Sequence, residues 1–185
     1  MTTATAAGPV LLDLAPATWD RHLDRAAAWL NNCVQVQEKF RKYAADTAGR
    51  IREPHIREYL QQIAGRAERH EEDARGILRA VGREPGRLRS AVGAAAAKAG
   101  EVLAGAVGLL GSTRGDWNDL RQLLLESQDA LGAFAVAEQL GYALANPELA
   151  DTAFRVVAEK WTGHLLIQEY VLEMGAQFIL YHEGV

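Results

Sequence analysis

Two histidines occupy matched positions in the sequence, and both residues are of a type that binds metal ions. His70 follows Pro54 by sixteen residues, and His164 follows Pro147 by seventeen. Each histidine falls on a stripe of otherwise apolar residues at helical spacing. A buried imidazole needs a polar partner, which can be a carboxylate across the bundle or a metal ion. Acidic residues that could face these two histidines are therefore candidate partners.

Glu38 is the acid best placed to face His70. It precedes Pro54 by sixteen residues, as His70 follows it by sixteen. Since a helix rises about 1.5 Å per residue, the two side chains would lie at the same height in an antiparallel hairpin. Glu68 and Glu71 flank His70 more closely, but helical geometry is expected to point them away from the apolar seam.

The acid that would face His164 is less clearly marked. Glu126 is preferred, because the alanines on its stripe would leave room for an ion or for water. Asp129 is the second choice, and Glu138 lies on a stronger apolar stripe but too close to the following turn. The predicted metal ligands are Glu38, His70, Glu126 and His164.

Four long helices are predicted to position these residues. The apolar periodicity indicates helices from about 18 to 51, 54 to 82, 116 to 145 and 147 to 183. Pro54 and Pro147 suit the first turn of a helix, where no backbone N–H is needed. Asn146 and Asp116 are the expected N-cap residues of the fourth and third helices.

The predicted helices form two antiparallel hairpins within one domain. Residues 1–17 are expected to be a loose N-terminal arm, and residues 18–185 an all-α four-helix bundle. A long crossover over about 83–115, with a short helix between Ser90 and Gly111, joins the hairpins. Helices two and three then run parallel, either side by side or across the diagonal of the bundle.

Composition limits the class of protein. The chain has 185 residues, 49% of them hydrophobic, with five prolines, which fits a single helical domain. A single cysteine, Cys33, and the lack of a secretory signal predict a cytoplasmic location. Residues 39–89 carry a net charge of +5 and residues 116–185 a net charge of −8. The arginines are not interleaved with aromatic residues, so nucleic-acid binding is not expected, and neither is membrane contact.

Four short segments resemble the ferritin-like superfamily, and in particular its small bacterial members linked to stress. The segments are Gln37–Lys39 (QEK), Arg66–His70 (RAERH), Ala137–Gly141 (AEQLG) and Asn146–Leu149 (NPEL). The resemblance spans roughly residues 20–180 and implies a ferritin-like four-helix bundle. It also implies binding of iron, with manganese or zinc as alternatives, and oxidation of ferrous iron by oxygen or peroxide. The first-helix glutamate of the family matches Glu38 and its second-helix histidine matches His70, whereas Glu126 and His164 are looser matches.

The chain departs from the family pattern at both Glu-x-x-His motifs. Ala67 stands three residues before His70 and Trp161 three residues before His164, so both bridging carboxylates are missing. With only two acids against two divalent ions, a site for one ion is physically easier than a site for two. The alternative is a metal-free helical interaction protein in which an ancestral site has decayed into a hydrogen-bonded core.

Self-association is also expected. Trp117, Trp161 and Tyr170 cannot all face one bundle core, and two-fold dimers are the commonest closed assemblies. The sequence therefore predicts a homodimer.

Overall fold

A computed structural model describes residues 14–82 and 115–181, and this part of the chain is helical without any strand. Helix α1 spans Pro16–Arg50, α2 spans Pro54–Ala80, α3 spans Asp116–Ala143 and α4 spans Pro147–Tyr181. The prediction of four packed helices in an all-α bundle is confirmed. Most of the expected N-terminal arm and the short crossover helix lie outside the described residues. None of the four helices is long and apolar enough to cross a membrane.

The helix ends follow local sequence chemistry with one exception. Pro54 and Pro147 are the first residues of α2 and α4, as predicted. The Asn146 side chain accepts a hydrogen bond from the Leu149 backbone N–H at 3.0 Å, which confirms its capping role. Asp116 was expected to cap α3, but it is the first helical residue. Its carboxylate instead accepts a hydrogen bond from the Arg52 backbone N–H at 3.0 Å, so it joins α3 to the α1–α2 turn.

The two hairpins pack with α1 against α3 and α2 against α4. Arg50 at the end of α1 donates to Asp119 at the start of α3 at 2.7 Å, so these two helices are antiparallel. His55 near the start of α2 pairs with Glu173 near the end of α4 at 3.2 Å, so this pair is antiparallel as well. Helices α2 and α3 therefore run parallel across the diagonal, which was one of the two predicted arrangements.

Gly141 sets how closely α3 and α4 approach each other near their turn. A Cβ at this position would lie 2.5 Å from the backbone nitrogen of Ala150 and 2.7 Å from its Cα. Backbone atoms cannot move aside as a flexible side chain can, so only glycine fits without shifting a helix. This contact fixes the angle at which α4 leaves the turn and carries its side chains into the core.

Apolar side chains form two buried clusters, one at each end of the bundle. The first cluster lies toward the α1–α2 turn and includes Phe40, Ile51, Ile56, Leu60, Leu120, Leu123 and Ile167. The second cluster lies toward the α3–α4 turn and includes Leu30, Cys33, Ile77, Leu78, Phe134, Leu149 and Val156. On α1, α2 and α4 the buried side chains between these clusters are polar, and Gly163 of α4, which has no side chain, is buried among them.

Candidate functional site

A polar layer separates the two apolar clusters. We use this name for Gln37 of α1, His70 of α2, Ser127 of α3, and Lys160 and His164 of α4. The first four are buried, and His164 is half-buried. Polar groups at this depth are stable only when they are hydrogen-bonded, so each partner in the layer matters.

His70 is 3% exposed and is paired with Glu159 of α4, with 3.0 Å between Nε2 and the carboxylate oxygen. A carboxylate can only accept, so Nε2 carries the proton. Burial lowers the pKa of His70, and the hydrogen bond to Glu159 opposes this only in part. The bond from His70 lowers the pKa of Glu159. The pair at neutral pH is therefore a neutral imidazole donating to a carboxylate.

His164 is bound to Ser127, with 2.7 Å between Nδ1 and Oγ. The Ser127 hydroxyl donates its one proton to the Leu124 carbonyl at 2.8 Å, so it accepts from His164 Nδ1. The Nε2 atom of His164 then carries the lone pair. Burial lowers the pKa of His164, which favours the neutral imidazole.

Glu38 lies outside the polar layer. Its side chain is 39% exposed and pairs with Lys42 on its own helix at 2.7 Å. This hydrogen bond from Lys42 lowers the pKa of Glu38. The neighbouring residue, Gln37, takes the core-facing position, and its amide donates to the Ala67 carbonyl at 2.8 Å. The structure therefore places an amide where a metal ligand was predicted.

Glu126 is buried, as its predicted role requires, but its carboxylate is already engaged. Lys39 of α1 approaches it at 2.8 Å, and the Gln122 amide donates to it at 2.8 Å. The two alternative acids do not join the layer either. Asp129 is exposed, and Glu138 accepts a hydrogen bond from the Tyr142 hydroxyl at 3.2 Å.

Glu71 departs from the expectation that it points away from the seam, because it is 5% exposed. Its carboxylate lies between the guanidinium groups of Arg41 and Arg75. The hydrogen bond to Glu71 raises the pKa of Arg41. Two arginine partners offset the desolvation of a buried carboxylate, which explains how this residue can turn inward.

Lys160 is the residue that sequence reasoning missed. It is 7% exposed, and its Nζ has no hydrogen-bond partner among residues 14–82 and 115–181. The Nζ atom lies 4.4 Å from the centre of the Phe40 ring and 5.5 Å from that of Phe134. Burial lowers the pKa of Lys160 from 10.5 to about 7. The available signal was its spacing, since it falls between Val156 and Ile167 on the buried stripe of α4.

A pocket opens onto the polar layer between α1, α2, α3 and α4. It encloses about 320 Å³ of free space, including its mouth. Its walls combine apolar and polar side chains, namely Phe40, Ile63, Arg66, His70, Ser127, Glu159, Lys160, Gly163 and His164. The structure thus brings His70 and His164 into one pocket, as predicted, while Glu38 and Glu126 are not among its lining residues.

The donor set of this pocket fits a metal ion poorly. Within residues 14–82 and 115–181, no group of three or more His, Cys, Asp and Glu side chains is placed to hold one. The pocket offers two imidazoles and the Glu159 carboxylate, which is already bonded to His70. A lysine ammonium in the same layer would repel a cation, and no carboxylate is bonded to it.

Comparisons with known proteins identify a fold but no family. No family model and no curated protein matches the chain. A protein from Xanthomonas campestris pv. campestris, known from a crystal structure, aligns with 86% of this chain and 96% of its own, with a TM-score of 0.65. The two sequences are 9% identical, so the likeness shows the fold alone. Fold and site together define an all-α four-helix bundle with a buried polar layer.

Proposed function

We propose that this chain is a ferritin-like four-helix bundle that functions as a metal-free interaction protein and forms a homodimer through the outer face of α4. Two hairpins with parallel α2 and α3 support the ferritin-like arrangement. The engagement of Glu38 by Lys42 and of Glu126 by Lys39 supports a decayed metal site. The observation that carries the interaction role is an apolar stripe on the outside of α4.

The outer stripe of α4 consists of Phe154, Ala158, Trp161, Leu165, Leu172 and Ile179, all of them exposed. The five large side chains are each between 51% and 63% exposed. The residues are separated by 4, 3, 4, 7 and 7 positions, which matches the heptad spacing of helices that pair with another helix. An exposed apolar surface of this length marks an interaction site.

A second copy of the chain is the partner that best fits this stripe. Arg155 and Glu169 lie on one edge of it, seven residues on either side of Thr162. An antiparallel copy centred near Thr162 would bring Arg155 of each chain opposite Glu169 of the other. The same arrangement would place Trp161 against Leu165. The same surface patch then forms the contact on both copies, as a two-fold interface requires.

We expect Trp161→Glu combined with Leu165→Glu to convert the dimer into a monomer. Burying two carboxylates at the centre of an apolar interface should raise the dissociation constant at least about 30-fold. Sedimentation equilibrium of the full chain over a range of concentrations measures this effect, with circular dichroism to check that helicity is kept. Leu125→Glu is the matched control, because Leu125 is 55% exposed on α3 outside the stripe. A wild-type chain that is monomeric at high micromolar concentration contradicts the proposal.

Charge reversal tests the antiparallel register. Glu169→Arg should weaken the dimer by placing two arginines opposite each other. Adding Arg155→Glu should restore it, although Arg155 also donates to Asp73 within its own chain. Failure of the double variant to recover would rule out this register.

The metalloprotein alternative has one observation in its favour, which is that His70, Glu159 and His164 line the same pocket. Ligand carboxylates and imidazoles of this kind suit iron, manganese or zinc, and a bound ion would supply redox or Lewis-acid chemistry there. In this chain the donors are held by hydrogen bonds to one another and to Ser127. Binding would therefore first have to break the His70–Glu159 pair.

We expect thermal melts to show no dose-dependent rise in Tm with ferrous, manganous or zinc ions. A ligand stabilises the native state only when it binds that state more tightly than the unfolded chain. The measurement should be made in bicarbonate-free buffer, with His70→Ala as the comparison variant. A saturable rise in Tm that His70→Ala abolishes would establish the metalloprotein alternative instead.

A further inference from the structure

The polar layer contains one cationic side chain without a partner. Among the described residues, three buried polar atoms lack a hydrogen bond, namely Gln37 Oε1, Thr47 Oγ1 and Lys160 Nζ. Only the last belongs to a group that can carry a charge. Lys160 is 7% exposed and is one of the residues that line the pocket.

The groups around Lys160 do not supply a counter-charge. Cys33 on α1 is the acidic group that acts to raise the pKa of Lys160, but burial raises the pKa of that thiol to about 12. His70 on α2 is bonded to Glu159, and that carboxylate also lies 3.8 Å from Arg155. On α3 the neighbour is the ring of Phe134.

Because of this environment, much of Lys160 is the free amine at neutral pH, as its pKa of about 7 indicates. An uncharged lysine amine is a nucleophile toward carbonyl carbon. The reaction of Lys160 then depends on which electrophile can reach its amine.

The size of the pocket selects a small electrophile. Its enclosed part has room for only about one or two molecules the size of water. The ring of Phe40 and the side chain of Ile63 make part of its wall apolar. A compact, uncharged molecule fits this space better than a sugar, a nucleotide or a long-chain aldehyde.

We propose that Lys160 is a carbamylation site that takes up one molecule of carbon dioxide to form N-carboxylysine. The lone pair of Nζ attacks the carbon of carbon dioxide, and one carbon–oxygen π bond becomes the carboxylate lone pair. The nitrogen then loses one proton. The sum is an amine plus carbon dioxide giving a carbamate and a proton, and neither an oxidant nor a reductant is required.

His164 is positioned to receive that proton. It lies four residues after Lys160, so both side chains project from the same face of α4 and line the same pocket. Its Nδ1 donates to Ser127, which leaves the lone pair on Nε2. Because His164 is half-buried and its pKa is lowered, the imidazole then passes the proton on to solvent and returns to its neutral form, and the carbamate anion stays in the pocket.

The pocket also contains a donor for the carbamate oxygens. Arg66 lines it, and one of its nitrogens donates to the Tyr59 hydroxyl at 3.0 Å. A guanidinium group has five N–H donors in a planar fork, which suits a carboxylate. A carbamate at Lys160 would therefore replace an unsatisfied ammonium with a group that can be hydrogen-bonded.

The test is carbon-13 NMR of the full chain at pH 8 with carbon-13 bicarbonate. We expect one carbamate resonance that is lost on acidification and is absent in Lys160→Gln and in Lys160→Met. Lys42→Gln is the matched control and should keep the signal, because Lys42 is exposed and paired with Glu38. Trapping the carbamate as an ester with an oxonium alkylating agent, followed by peptide mass spectrometry, should place the added group on Lys160.

A folded wild-type chain without a Lys160-dependent resonance would overturn the proposal, as would trapping on the other lysines alone. A signal that persists in both Lys160 variants would do the same. The result is independent of the dimer and metal experiments, since neither uses bicarbonate.

Discussion

Lys160→Met is expected to make the protein more stable, by several kcal/mol at pH 6. The substitution keeps a long side chain between the Phe40 and Phe134 rings and removes an amine that has no hydrogen-bond partner. Burying an unpartnered ammonium is costly, whereas a thioether fits an apolar space of this kind. The measurement is the free energy of unfolding in urea for the wild type and the variant.

The pKa of Lys160 determines how the stabilisation by Lys160→Met changes with pH. Its value is about 7 in the folded protein against an ordinary 10.5. Below about pH 7 the lysine is charged in both the folded and the unfolded state. The full cost of burying this charge, on the order of 5 kcal/mol, then opposes folding. Between about pH 7 and 10.5 the unfolded chain binds more protons, so wild-type stability from this group rises with pH. The advantage of Lys160→Met should therefore shrink across this range.

Lys42→Met serves as the control, because Lys42 is 62% exposed and should contribute little at any pH. Measuring the difference between variant and wild type removes the titration of the carboxylates and histidines that both share. A difference that stays constant from pH 6 to pH 10 would show that Lys160 is not desolvated as the structure describes.

Phe134→Ala is expected to destabilise the protein by about 3–5 kcal/mol. Phe134 is fully buried and belongs to the second apolar cluster, so its truncation removes apolar contacts and leaves a cavity. Unfolding in urea measures the loss. Val136→Ala is the control two residues away, since Val136 is 42% exposed and should change stability by less than about 0.5 kcal/mol.

The two substitutions should be coupled, because the Phe134 ring lies 5.5 Å from Lys160 Nζ. A cavity beside the amine gives water access to it and relieves part of the desolvation penalty. The gain from Lys160→Met should then be smaller in the Phe134→Ala background than in the wild type. Strictly additive effects would indicate that the two side chains do not share one environment.

Local sequence signals were sufficient to predict the helices and most of their ends. Proline at a first helical turn and asparagine before it are local signals, and Pro54, Pro147 and Asn146 hold the positions that these signals predict. Asp116 is the counterexample. Its carboxylate could accept a hydrogen bond from its own helix or from the neighbouring α1–α2 turn. It accepts the bond from the backbone N–H of Arg52, which belongs to the turn.

The candidate site was harder to predict because a helix turns about 100° per residue, so an error of one position changes the face. Glu38 and His70 are the same number of residues from Pro54, but Gln37, one residue before Glu38, is the side chain that faces the core. Glu71 was expected to be outside and is buried, because Arg41 and Arg75 neutralise it. Gln37 continues the spacing of the buried residues Leu30, Cys33 and Phe40 within α1. The burial of Glu71 depends instead on Arg41, which a neighbouring helix supplies.

The sequence by itself determined four amphipathic helices, their pairing into hairpins and the presence of two histidines at matched depth. These features depend on residues that are close in the chain. The tertiary structure decided which polar groups meet, pairing His70 with Glu159 and His164 with Ser127, and leaving Lys160 unpartnered. The physical reason is that pairing and desolvation are properties of contacts between helices, and the rotation and close approach of those helices are set by packing such as that of Gly141 against Ala150.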